Sequence, residues 1–229
     1  MKETARSYYA DLVREYPSKI RQLVPKYDEM VRCIIELLQL IRPERLLDVG
    51  AGIGNVADLA LQKIRGCTVT AIEASEEMVV EARRLLSAYG ARATVIHQDF
   101  MDFTSDAPYD AVISNLVIHN LPLQIKRESL LKLHALLKPG GAFVWGDLVR
   151  HPDGVVQEHY VAYRKAFARA AGCPLELIER NFHKEENQDH PLTAGETLEE
   201  ARAVGFEPVS CVWAHDTFAL FLLRKQPVL

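Results

Sequence analysis

The sequence predicts an α/β fold: a mainly parallel sheet with helices on both faces, finished by an antiparallel hairpin. Three observations predict it. Short apolar runs alternate with stretches of helical periodicity from Arg45 to Gly146, the pattern of parallel strands joined by crossover helices. The first run, Leu46-Leu47-Asp48-Val49, breaks into Gly50-Ala51-Gly52-Ile53-Gly54 before helical periodicity resumes at Asn55. Strand, glycine loop and helix together set a ligand at the carboxyl edge of such a sheet, beside helix N-terminal amides. The last two runs, Phe206 to Trp213 and Thr217 to Leu223, carry apolar pairs that suit an antiparallel edge hairpin.

Size and charge bound the rest. A chain of 229 residues suffices for one α/β domain with a substantial core and small helical additions. Lys and Arg total 27 against 31 Asp and Glu, so the net charge is -4 and the basic footprint of phosphate binding is missing; no nucleic-acid partner is expected. No apolar run is long enough to span a bilayer, and Met1-Lys2-Glu3-Thr4 lacks the apolar core of a signal peptide. A cytoplasmic protein without membrane contact is expected. Cys33, Cys67, Cys173 and Cys211 are scattered, with no C-x-x-C pair, and read as free thiols, Cys67 and Cys211 lying within strands. The histidines form no recognisable ligand motif, so no metal is expected.

Taken in order, Tyr8, Tyr9, Leu12, Val13 and Tyr16 recur at helical spacing and predict a helix from Lys2 to Tyr16, stopping before Pro17. A second helix runs from about Tyr27 to Ile41, closed by Pro43. After the glycine loop the helical intervals are Val56 to Ile64, Glu76 to Tyr89 and Gln124 to Leu137, the second capped by Ser75. Between them the strands are Cys67 to Ile72, ending at Glu73; Ala93 to His97, ending at Gln98-Asp99-Phe100; and Tyr109 to Ile113, ending at Ser114-Asn115. Lys138-Pro139-Gly140-Gly141 is a helix stop and tight turn into the strand Ala142 to Gly146, whose tip is Asp147. From His151 to Pro191 the pattern leaves the sheet, with helices over Val155 to Ala171 and Leu175 to Glu186, at a place where a segment covers an active site. A last helix, Glu196 to Val204, precedes the hairpin. The expected organisation is a single domain: an N-terminal helical lid (1–43), a ligand-binding core (44–150), a helical lid insertion (151–193), and a C-terminal helix and hairpin (194–229).

Glu73 lies roughly twenty residues beyond the glycine loop, the position of a carboxylate that grips a ribose diol. The glycine spacing is G-x-G-x-G, not the dinucleotide G-x-G-x-x-G. With LLDVGAGIGN as first motif, Glu73 in AIEASEEM as acidic second, QDF as third, and SNLVIHNLP and LKPGGAFVWGD as fourth and fifth, the chain resembles the class I S-adenosylmethionine-dependent methyltransferases. The resemblance covers Arg45 to Asp147 closely and Ala201 to Arg224 loosely. It implies a Rossmann-like sheet of seven strands with an antiparallel edge hairpin, and S-adenosyl-L-methionine as cofactor. Asp48, Gly50 and Gly52 would hold the methionine portion, Glu73 with Ala74 the ribose, Asp99 and Phe100 the adenine, and Asn115 the methionine amine through its backbone. Met78 either contacts the adenine or fills core. Tyr27 is similar to a tyrosine that reaches the cofactor in small methyltransferases.

Methyl transfer from a sulfonium is a direct displacement, so the protein has to align the acceptor and remove its proton. His119 is the candidate base, because it follows the fourth strand and imidazole titrates near neutrality; a structural or donor-binding role is the alternative. Asp147 is either a substrate contact or a solvated strand-end acid. The expected acceptor is a small molecule, methylated at oxygen or nitrogen and partly apolar or aromatic. Ser114-Asn115-Leu116-Val117 lacks the Asn-Pro-Pro-Tyr type motif of base and amide nitrogen methylation. A wobble-uridine type tRNA-modifying enzyme and a non-catalytic S-adenosylmethionine-binding protein remain as alternatives, and a homodimer is left open.

Overall fold

The computed structural model describes residues 16–227. Its strands are β1 (Arg45–Val49), β2 (Thr68–Glu73), β3 (Ala93–His97), β4 (Tyr109–Asn115), β5 (Leu137–Leu148), β6 (Phe206–His215) and β7 (Phe218–Lys225), in one sheet of order β3-β2-β1-β4-β5-β7-β6. The first five run parallel, and β7 is antiparallel to both β5 and β6. Neighbouring residues of one strand enter different cores, as a period of two requires. Leu46, Ala71, Ile113, Val144 and Leu220 pack on one face with Met30, Ile34 and Leu38 of α2 (Tyr27–Ile41). Leu47, Ile72, Val112, Phe143 and Phe221 pack on the other with Leu130 and Leu133 of α5 (Leu123–Leu136). The remaining helices are α1 (Tyr16–Leu23), α3 (Asn55–Lys63), α4 (Glu76–Leu86), α6 (Gly154–Ala170), α7 (Leu175–Asn187) and α8 (Ala194–Ala203).

Several boundaries differ from expectation. Pro17 sits in the first turn of α1, where its missing N–H costs nothing. The expected helix over Lys2 to Tyr16 otherwise lies outside the described residues. Helix α4 ends at Leu86 rather than Tyr89, because the chain tightens into a 3₁₀ stretch containing Gly90 at φ 55°. Cys67 stands one residue outside β2, in the turn whose N–H reaches Ile64 O at 3.4 Å. The Lys138-Pro139-Gly140-Gly141 turn is a bulge inside a longer β5: Tyr109 faces Leu137 and Ala111 faces Ala142, so the excursion absorbs the extra residues. No helix among the described residues is long and apolar enough to cross a membrane.

Candidate active site

The carboxyl ends of β1 to β4 open onto a cavity of about 330 Å³. Its lining includes Gly50, Gly52, Glu73, Ala74, Asp99, Phe100 and Asn115, drawn from the tips of four strands and the residues just past them, and Met78 of α4. Tyr27, Asp48 and His119, expected at the same site, are not in that lining.

The glycine loop is shaped by its neighbours. Gly50 has φ +71°, and a Cβ there would stand 2.5 Å from Val117 Cγ2, so both the backbone and the space call for glycine. Gly52 N donates to Glu73 Oε2 at 3.0 Å, while Ala74 N and Ser75 N donate to Oε1 at 2.8 Å each. Three of the roughly four acceptor positions on this carboxylate are thus occupied; the free one is on Oε2, and a diol donating to both oxygens competes with Ala74 N and Ser75 N for Oε1. Beneath the loop, Asp48 is 3% exposed and accepts a hydrogen bond from the Ala57 N–H in the first turn of α3. Burial, reinforced by the nearby Glu73, pushes its carboxyl up to about 7, and Oδ2 has no hydrogen-bond partner. Tyr27 is buried with its hydroxyl on Asn55, and burial raises it to about 12. Both residues therefore back the loop rather than face the cavity.

At the opposite wall Asp99 caps the turn Phe100–Asp102 by accepting from Met101 N at 3.0 Å. Asn115, at the tip of β4, carries a buried Oδ1 without a partner, and a Cβ on Gly146 would lie 2.5 Å from it, so Gly146 makes its room. The chain then turns through Leu116, whose φ of 60° sends the following residues across the strand ends.

That turn carries His119 away from the cavity and into a second pocket of about 60 Å³, which shares Leu116 with the first. Asp147, expected as a substrate contact or a solvated acid, is neither. It is buried and saturated: Oδ1 accepts from His119 Nδ1 at 2.5 Å and Leu148 N at 2.9 Å, and Oδ2 from His119 N at 2.9 Å and Trp145 Nε1 at 2.8 Å. A carboxylate only accepts, so Nδ1 holds the imidazole proton and Nε2 faces the second pocket. There it stands 3.8 Å from Asp189 Oδ2, in the connection between α7 and α8. Lys184 Nζ bonds the other Asp189 oxygen at 2.5 Å and Asn120 Oδ1 at 2.6 Å. Lys126, 1% exposed on α5, donates to His119 O, Leu121 O and His190 O, and burial lowers it to about 8.

Residues 46–141 match the methyltransferase-domain family model. The chain is also 30% identical over 181 residues to a carboxy-S-adenosyl-L-methionine synthase of Ectopseudomonas mendocina, a match covering 74% of this chain and 73% of that protein. The chain belongs to the class I S-adenosylmethionine-dependent methyltransferases. Two solved structures share this methyltransferase's fold. The DhpI complex with S-adenosylhomocysteine is 19% identical with a TM-score of 0.66, covering 97% of this chain and 96% of that one. The 1,6-didemethyltoxoflavin-N1-methyltransferase of Burkholderia thailandensis is 22% identical with a TM-score of 0.61, covering 93% and 90%.

S-adenosylmethionine is accordingly the methyltransferase's cofactor, and the cavity suits it: a carboxylate beside a glycine loop, a buried amide oxygen without a partner, and a Gly52 that leaves open space where a side chain would stand. Sequence reasoning named eight lining residues of this cavity but missed Asp189, Lys126 and Lys184. Lys126 did leave a signal, since it shares the buried stripe of Ser129, Leu130 and Leu133 at helical spacing. Asp189 left none.

Proposed function

We propose that this methyltransferase moves a methyl group to an oxygen or nitrogen of a small molecule by direct displacement, with His119 as general base. The observation that carries the reading is the orientation of His119: Nδ1 is fixed by Asp147, and Nε2 opens into a pocket that meets the larger cavity at Leu116. When bound, S-adenosylmethionine supplies the activated methyl on a sulfonium. Gly50, Gly52 and Asn115 would hold its methionine portion, Glu73 and Ala74 its ribose, and Met78, Asp99 and Phe100 its adenine. Asp48 and Tyr27 would act from behind by holding the loop. In this reading the helices before β1 and those between β5 and β6 are lids that line the second pocket and exclude water. His119 would take the acceptor's proton at Nε2, and the buried Asp147 keeps its tautomer.

Calorimetry with S-adenosylmethionine and S-adenosylhomocysteine tests the donor site. Wild type binds both, and Glu73→Ala weakens binding by about 1–3 kcal/mol, the scale for losing charged hydrogen bonds. His119→Gln leaves that affinity intact and slows turnover of an identified acceptor by about 10²–10⁴. Absence of binding by wild type overturns the reading.

The similarity to carboxy-S-adenosyl-L-methionine synthases supports a second reading, in which the donor itself is carboxylated. That product needs a cation for its carboxylate. Among the described residues no Lys or Arg lines the larger cavity, and of the cations in the second pocket Arg164 and Lys184 are bonded to Glu185 and Asp189 and Lys19 also has a partner. These features favour methyl transfer. A heavier, carboxylated donor found by mass spectrometry would reverse that choice. The basic residues Arg42, Arg45, Lys63 and Arg65 line a cleft at the amino edge of the sheet, away from both pockets, which favours a small acceptor over tRNA.

A further inference from the structure

We propose that Asp189 is the residue that selects the acceptor, and that the acceptor is a small primary amine with an apolar body, methylated at its nitrogen. The inference rests on the methyl-transfer reading above and adds to it the class of substrate.

Two acceptor atoms face the second pocket from opposite sides. His119 Nε2 belongs to the core and Asp189 Oδ2 to the segment after α7; they are 3.8 Å apart, and their side chains are 8% and 6% exposed. That separation is too long for a hydrogen bond between them, and among the described residues neither atom makes one with any other group. An atom seated between them reaches both at hydrogen-bond distance. To satisfy both it must donate twice, because Nε2 offers a lone pair and the carboxylate accepts only. An amine has the two N–H bonds; a hydroxyl has one and leaves the other acceptor bare. A carboxylate has none, and the cations in the wall are committed: Arg164 bonds Glu185 at 2.8 and 2.9 Å and Thr217 Oγ1 at 2.9 Å, Lys184 holds Asp189 and Asn120, and Lys19 also has a partner. Most of the remaining wall is apolar, built from Ile20, Leu23, Val24, Leu116, Leu148 and Phe218, with Lys19 and Asn181 also reaching it.

The chemistry balances. The protonated amine R–NH₃⁺ gives one proton to His119 Nε2 and keeps another on Asp189. The freed nitrogen lone pair forms the C–N bond to the donor's methyl carbon as the C–S bond breaks, and its electron pair stays on sulfur as a neutral thioether. The product leaves as R–NH₂⁺–CH₃, and His119 returns its proton to solvent.

The test uses the full chain saturated with S-adenosylhomocysteine, titrated with n-butylamine, n-butanol and n-butyrate and followed by NMR. The expected result is n-butylamine binding at least about tenfold more tightly than the other two. In Asp189→Asn, Lys184 retains the amide oxygen, the NH₂ faces the pocket, and the preference for the amine disappears while affinity for S-adenosylhomocysteine stays within about twofold. The wild-type comparison decides the matter whether or not the variant folds. Equal or tighter binding of the alcohol or the carboxylate, no binding of any probe, or an amine preference that survives in Asp189→Asn overturns the inference alone. Failure of S-adenosylhomocysteine to bind removes the donor-site reading with it.

Discussion

At the scale of the residue, Asp48 couples the site to pH. The folded protein holds its carboxyl at about 7, against an ordinary 3.8. A raised acid keeps its proton in the folded state after the unfolded chain has released its own, so stability is full below 3.8 and falls as pH rises toward 7. At full size the loss is on the order of 4 kcal/mol. Asp48→Asn, which stays neutral, should flatten that fall, so urea unfolding across this window should show wild type losing stability and the variant holding its own. If both decline in parallel, Asp48 is not the group responsible. The same residue shows what sequence could and could not convey. Its place at the tip of β1 was legible from the run LLDVG, but its orientation under the loop depends on the Ala57 N–H and the buried Glu73, which only the folded chain brings near.

At the scale of the element, the loop between β1 and α3 is held by a residue far along the chain. Gly50→Ala places a Cβ 2.5 Å from Val117 Cγ2 on top of a backbone at φ +71°. The left-handed strain alone costs about 1–2 kcal/mol. Binding of S-adenosylhomocysteine should be lost in Gly50→Ala and partly recovered in Gly50→Ala with Val117→Ala, since the second change relieves the clash and leaves the backbone strain. Calorimetry on the pair checks it; recovery to wild-type affinity would mean the backbone strain is negligible. Strands, the glycine loop and the acidic tips were all readable, because each is a local pattern of period, turn chemistry and strand-end polarity. The constellation around His119 was not. Asp147 is 28 residues from His119 in sequence, and Lys126 gathers carbonyls 7 and 64 residues away, so no spacing rule could pair them.

At the scale of the whole molecule, one side chain ties the helical segment after β5 to the sheet. Arg164 of α6 is 2% exposed; it bonds Glu185 of α7 through two nitrogens, reaches Thr217 beside β7, and lies 4.9 and 4.6 Å from the ring centres of Phe182 and Phe218. Arg164→Met leaves Glu185 without its partner and should cost about 3–5 kcal/mol in thermal or denaturant unfolding. Arg164→Lys should recover only part, having no planar fork to offer. A loss below 1 kcal/mol would show that the segment holds to the sheet without this tie. The order β5-β7-β6 has a further bearing, on how the molecule comes to exist at all. A ribosome delivers β6 before β7, yet among the described residues β7 is the strand that β6 pairs with and the one that joins it to β5. Until β7 emerges, Phe206 and Val209 have no strand beside them and the growing end carries an open edge, so β6 joins the sheet only through a strand that is made after it.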